Sequence, residues 1–359
     1  MAISPFRLSI QFSEGGGVDF DPIAVKPFDA QTLLAQASDD LVALDLEIQS
    51  DGAVVNGAQR EGIATFRTRV TFPQSVNVFS LVEGGWLPMP FTIPARFLVD
   101  RNIVILLRRI REGNLVSTSE ALHWWTRLFD QGSALFNPLL YAWEGGARRK
   151  PTRREFEESF QEGAAEIALA LPACAVVRYG AREFDAAYGQ LEAFDRRGDR
   201  ELRFLTEACI AISDRPSAPQ LWRRAREVLL LADKHGVRRG SLPSLAALSC
   251  VFEEAQGTVP SIGRRLLKPK PSYTEADAFN ALSDLRHVEL TAAGRVIFGA
   301  ESFALCTCDR ALAMFWSALS MRGEAIDADK MEFTYDLTRD LFTRLDEQGI
   351  LDLRDMLAE

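Results

Sequence analysis

The spacing of apolar positions changes character along the chain. Over roughly the first ninety residues, "LVALDLEIQ" and "GIATFRTRVTF" alternate with period two. "FRLSIQF" and "VNVFSLV" are short apolar or β-branched runs set between Gly, Asp, Asn and Pro. This spacing predicts strands. "EGGWLPMPFTIP" is rich in turn residues and predicts a boundary near residue 92. "RFLV" is instead a continuous apolar run, as expected of a strand covered on both faces, and Asp100 follows it at once. Ile103, Leu106, Leu107 and Ile110 then recur at helical spacing. Arg108, Arg109 and Arg111 fall largely off that face, and Gly113 supplies a stop.

From about residue 118 to 257 the helical period dominates. Ser119 predicts a cap for a helix through Leu128, and "TRREFEESFQEGAAEIALAL" a helix after Pro151-Thr152. Gly236 and Gly257 are the expected stops of two more helices, "SAPQLWRRAREVLLLADKHG" and "SLPSLAALSCVFEEAQG". Beyond the link "RRLLKPKPSY", Thr274 and Asp277 make a capping-box-like start. That helix presents Phe279, Leu282, Leu285, Val288 and Ala292 on one face, and Asn280, Asp284 and His287 on a polar stripe. "FALCTC" is another apolar run, and it ends in Asp309. Helices are expected for "RALAMFWSALSMRG" and "FTYDLTRDLFTRLDEQG". Strand–Asp–helix units on both sides of a helical middle predict an α/β fold. The expected architecture is a small parallel sheet flanked by helices over residues 93–359, with a helix-rich insertion at roughly 150–270. A β-rich N-terminal module over residues 1–92 precedes it.

Composition narrows the function classes. The 359 residues are 47% apolar and 25% charged, enough for two domains with a sizeable core. No run approaches the length of a membrane helix, so no membrane partner is expected. The N-terminus lacks a basic region followed by an apolar block, which predicts no secretory signal. Five cysteines without framework spacing predict reduced thiols and a cytoplasmic location. The net charge of −9 repels nucleic acid globally, so such a partner would be held by local basic patches.

Asp100 and Asp309 each close an apolar run and open a helix. One explanation is that each caps its helix. The other is that both reach the crevice beyond the C-terminal strand ends, where ligands of open α/β sheets bind. Neighbouring carboxylates need a counter-charge. Oxygen donors without a histidine cluster point to Mg²⁺ or Mn²⁺ rather than zinc. Asp284 is the candidate third acid.

These segments resemble the motifs of PIN-domain nucleases. "FLVDRN" is similar to the family's opening strand, which ends in Asp-x-Asn, here Asp100-Arg101-Asn102. "NALSDLRHVELTAA" followed by "ALCTCDRAL" is similar to its closing pair, a helix bearing an Asp and then a strand ending in Thr-x-Asp, here Thr307-Cys308-Asp309. The resemblance implies a metal-dependent ribonuclease. Asp100, Asp284 and Asp309 would hold Mg²⁺ or Mn²⁺, with Asn102 and Thr307 as supporting polar groups. The family's further acid is a Glu on a helix. Glu144 in "NPLLYAWEGG" is the first choice, with Glu120, Glu158 and Glu162 as rivals.

Two basic runs could hold a phosphate backbone: "GGARRKPTRR", with Arg148, Arg149 and Lys150, and "RRLLKPKP", with Lys268. Arg101 joins them as a candidate substrate contact. Trp124, Trp125, Trp143 and Trp316 read as core side chains or base-stacking platforms. His123, His235 and His287 are far apart. Cys306 and Cys308 alternate onto one strand face as small packing residues, opposite Thr307 and Asp309. The expected partner is nucleic acid, RNA before DNA. Two alternatives stay open: a DNA-directed nuclease, and a non-enzymatic scaffold that docks a protein partner through its helical region. The chain could also self-associate.

Overall fold

The computed structural model describes residues 2–4, 8–11, 17–20, 23–35, 42–55, 58–72, 78–92, 96–114, 130, 134–254, 262–298, 303–327 and 330–358. The helix expected from Ser119 to Leu128 lies outside them, as do Glu120, His123, Trp124, Trp125 and Gly257.

The fold is α/β. Its central sheet has six strands in the spatial order Ala175–Val176, Leu135–Asn137, Arg96–Val99, Phe303–Thr307, Phe79–Val82 and Gly85–Pro88. The first four run parallel. The last two form an antiparallel hairpin on the edge, so the sheet is mixed where a purely parallel one was expected. This hairpin also moves the boundary expected near residue 92. Every residue of its two strands is buried, and a pair covered on both faces belongs inside an α/β core. Glu83 and Gly84 make the turn, Gly84 with φ of 80°, and Gly85 opens the second strand with φ of 150°. A Cβ on Gly85 would collide with the Phe28 carbonyl oxygen.

The N-terminal strands form a second, antiparallel sheet dominated by the hairpin Val42–Val55 and Ala58–Phe72. Period two explains it. Leu44, Leu46, Ile48 and Ser50 point inward, while Asp45 and Glu47 on the other face pair with Arg69 and Arg67 at 2.7 and 2.9 Å. The inward residues share one continuous core with the central sheet. Phe28 and Trp86 exchange two backbone hydrogen bonds between the two regions, at 2.8 and 3.0 Å.

Local signals place most helices. Thr152 and Glu155 form a capping box for Arg153–Ala170. Gly236, at φ 64°, ends Leu221–His235 in the left-handed conformation. Strand Ala175–Val176 interrupts the range expected for the insertion. The helices between the third and fourth parallel strands therefore run from Ala181–Asp195 to Glu275–Phe298. The expected single helix over "FTYDLTRDLFTRLDEQG" does not form. Lys330–Thr334 pairs as a strand with Arg322–Asp327. The last helix, Glu347–Ala358, starts only where Asp346 Oδ1 accepts the Gly349 N–H at 2.8 Å. Leu337, Leu341, Phe342 and Leu345 are buried in the irregular segment between them, so apolar spacing there reflects core contacts without a helix.

Candidate functional site

Along the parallel half of the sheet the strands run third, second, first, fourth in chain order. The winding direction reverses between Arg96–Val99 and Phe303–Thr307. Such a reversal opens a crevice at the C-terminal strand ends. The two strands are in register, with Val99 opposite Cys306, and the Asp100 N–H donates to the Cys306 carbonyl at 3.2 Å. Asp100 and Asp309 therefore leave the sheet at the same end.

Thr307 ties the two together. Its hydroxyl donates to Asp100 Oδ2 at 2.5 Å and accepts the Asp309 N–H at 2.9 Å. Asp100 Oδ1 accepts the Ile103 N–H at 2.9 Å and caps Arg101–Arg111. Asp309 Oδ1 accepts the Leu312 N–H at 2.9 Å and caps Arg310–Leu319. Capping and convergence are thus compatible, because each carboxylate has an oxygen beyond the one its cap uses.

Glu144 ends the short helix Leu139–Glu144, where Gly145 turns the chain at φ 59°. Its carboxylate accepts the backbone N–H of Arg101 and lies in the field of Asp100. Asp284 lies within Glu275–Phe298, half-buried. Burial pushes the Asp100 carboxyl up to about 7, and Asp309 adds to the rise against hydrogen bonds from Thr307, Ile103 and Asn102. Burial, then Asp100, pushes Glu144 up to about 7 against Arg101. Burial pushes Asp284 well above the usual carboxylate range. Asp309, Glu144 and Asp100 add to this, and Lys268 opposes it. The structure thus brings Asp100, Glu144, Asp284 and Asp309 into one mutually repelling group. Glu158 and Glu162 are occupied elsewhere, by Arg154 at 2.7 Å and Arg108 at 2.6 Å.

The donor set is hard: four carboxylates with the Thr307 hydroxyl and the exposed Asn102 beside them. Its chemistry fits Mg²⁺ or Mn²⁺, and its mutual repulsion is what a divalent cation would relieve. Among the described residues, no three His, Cys, Asp or Glu side chains are arranged to hold a metal ion as they stand. Binding would require the side chains to close in. Asp309, capped through one oxygen only, and Asp284, with no hydrogen bond to its carboxylate among the described residues, have the freedom to do so.

The basic candidates separate. Lys268 lines an open cleft of about 870 Å³ that also includes Asn102 and Asp309. Arg101 lies over the Tyr141 ring at 5.2 Å, beside Glu144. Arg149 is paired with Glu155 at 2.6 Å, and Lys150 with Glu192 and Asp195 at 3.3 and 3.6 Å. Arg148 is exposed. The same cleft holds Arg265, from the run "RRLLKPKP", and two cations outside both basic runs, Arg109 and Arg310. Two signals were present. Arg109 follows Asn102 at i+7 on one helix stripe, and Arg310 directly follows Asp309.

Other candidates are structural. Trp143 packs edge-on against Phe156 and Tyr188. Trp316 is buried and donates its indole N–H to the Val82 and Gly85 carbonyls at 2.7 and 3.0 Å. His235 sits 3.1 Å from Glu207. His287 does not share an open stripe with Asp284. It is buried, neither ring nitrogen has a hydrogen-bond partner among the described residues, and burial lowers its pKa to about 4. Burial pushes the Cys306 and Cys308 thiols up, away from the reactive thiolate. No family model, no curated protein and no solved structure matches this chain.

Proposed function

We propose that the chain is a metal-dependent phosphodiesterase with a PIN-like site that hydrolyses RNA. One observation carries this: Asp100 and Asp309 leave neighbouring parallel strands at the switch point of the sheet, tied through Thr307, and Glu144 and Asp284 lie within their electrostatic reach. Burying like charges together costs stability, and folds keep such arrangements at functional sites. Asp100, Asp284 and Asp309 would hold Mg²⁺ or Mn²⁺. When bound, the ion supplies positive charge beside the phosphate and a more acidic water. Thr307 fixes the Asp100 carboxylate and couples it to the Asp309 backbone. Glu144, set beside Asp100 at the end of its helix, is the candidate to accept a proton from the attacking water.

The test is cleavage of labelled RNA by the purified chain in Mn²⁺. Cleavage should stop in EDTA and fall at least ~100-fold in Asp309→Asn, on the scale of losing one charge-stabilising group. Mn²⁺ should also raise the melting temperature of the wild type but not of that variant. Cleavage that persists in EDTA, or no cleavage of RNA or DNA together with no stabilisation by Mn²⁺, overturns the proposal. In the second case the alternative gains. That alternative is a non-enzymatic scaffold on a nuclease-like core, and the lack of a ready metal-holding group among the described residues favours it. A DNA substrate in the same panel separates a DNA-directed nuclease.

A further inference from the structure

The open cleft beside Asp309 has two unlike surfaces. One wall is a single stripe of the helix Arg101–Arg111: Asn102, Ile105, Leu106 and Arg109, at i, i+3, i+4 and i+7. Ile105 and Leu106 are only half-buried, so the middle of this stripe is apolar and open. Asn102 and Arg109 are roughly 10 Å apart along the helix axis. The facing wall comes from the end of the helical insertion and the start of the helix after Asp309. It carries Arg265, Lys268 and Arg310.

These cations are not held in ion pairs among the described residues, although Lys268 lies in the field of Asp284. Among the described residues, Arg109, Arg265, Lys268 and Arg310 form no salt bridge with a carboxylate, whereas Arg149, Arg153 and Arg154 in the denser basic run all do. Arg310 Nε and Nη2 are buried and have no hydrogen-bond partner among the described residues. The proximity of Arg265 and the burial of Arg310 together lower the Arg310 pKa, burial being the larger cause. Lys268 adopts φ 52°, directly after Ile262–Leu267. Glycine is favoured at that position of a helix end, so a lysine is held there against backbone preference. Arg264, by contrast, is committed to structure through the Ile212 and Ser213 carbonyls at 2.8 and 3.0 Å.

We infer that this cleft is the strand-binding groove of the site: Arg109, Arg265, Lys268 and Arg310 take phosphates flanking the scissile bond, and Ile105 with Leu106 takes the face of one unpaired base. The inference rests on the phosphodiesterase reading for its placement beside the scissile bond. It adds that the strand must be single, because a base can lie on the apolar stripe only when it is unpaired. It also gives the helical insertion a role, since Arg265 and Lys268 make one wall of the groove. Free cations on an acidic protein locally reverse the repulsion that its net charge exerts on a polyanion.

The experiment is fluorescence anisotropy in EDTA, so that binding is read without cleavage. The probes are a labelled single-stranded RNA, the same sequence as a duplex, and a labelled poly-glutamate peptide. The single strand should bind best. Arg310→Gln and Arg265→Gln should each weaken it about tenfold and reduce the slope of log K against log salt by about 0.7. Lys268→Gly should weaken binding while leaving the melting temperature equal or higher, which excludes misfolding as the cause. Arg149→Gln should change nothing. Wild-type binding in the three cleft variants overturns the inference. So does duplex binding tighter than single strand, or peptide binding that is equally strong and lost in the same variants, which would mark a protein-docking groove. Single-strand binding that follows these variants without any cleavage in Mn²⁺ supports the groove and overturns the phosphodiesterase. Cleavage that is indifferent to them does the reverse.

Discussion

The helix Glu275–Phe298 buries charge in two places, and they are solved in opposite ways. At Arg286 and Glu289 the charges are paired. Arg286 reaches Glu201 at 2.6 Å and Glu289 at 3.0 Å, and Arg197 closes the network on Glu289 at 2.9 Å. Two residues before Arg286, Asp284 meets Asp309, Glu144 and Asp100, with Lys268 the opposing cation. The same helix supports both groups, and Glu201 and Asp100 are each about 3% exposed. Compensation separates them. The first network carries its own counter-charge and joins two helices, Gly198–Ala211 and Glu275–Phe298. The second is left short of positive charge, and that shortage is what a cation from solution would fill.

The sharpest break of this contrast is Arg286→Ala. It removes the buried cation shared by two buried glutamates and leaves them only the half-exposed Arg197, so it should cost about 3 kcal/mol, read as a fall in the denaturant midpoint with an unchanged slope. A midpoint like that of the wild type would mean that the pairing is incidental. Asp100→Asn should act in the other direction. Burial pushes the Asp100 carboxyl up to about 7, well above the ordinary aspartate value, so the wild type is penalised above pH 7 and the penalty fades as pH falls towards 4. Without metal, the variant should be more stable than the wild type at pH 8 by roughly 2–4 kcal/mol, with the gap closing by pH 4. Asparagine retains the cap to Ile103. Melting curves at pH 5 and pH 8 decide it, and a variant less stable than the wild type at pH 8 would show that Asp100 is held for structure. The smallest effect is expected at Arg149→Ala in the exposed basic run. Its pair with Glu155 is about half exposed on both sides, so the melting temperature should match that of the wild type. A lower one would move that run from the surface into the structural class.

Much of this was legible in the chain. "RFLV" and "FALCT" announce strands covered on both faces, and the acids that end them cap the next helices, because caps and continuous apolar runs are local features. Glu144 was preferred to Glu158 and Glu162 for a Glu-Gly pair at about the expected distance after Asp100, a weak signal because Glu162 also precedes a glycine. The structure supplies the physical distinction, since the rivals lie on Arg153–Ala170 opposite arginines while Glu144 faces Asp100. The edge hairpin was assigned to the N-terminal module because its apolar runs are equally compatible with either sheet. The segment after Thr334 was read as a helix because buried residues without regular structure can mimic helical spacing.

The sequence by itself determined the strand–Asp–helix units, most helix boundaries and the identities of the acids, since each depends on neighbours a few residues away. Tertiary structure decided which charges remain free. "GGARRKPTRR" is the densest basic stretch, yet Arg149, Lys150, Arg153 and Arg154 all meet carboxylates. Arg109, Arg265, Lys268 and Arg310 are scattered over 200 positions and converge on one cleft without a salt bridge among the described residues. A residue's formal charge is written in the chain, but its counter-charge arrives from wherever the fold brings one, and only the folded topology sets that.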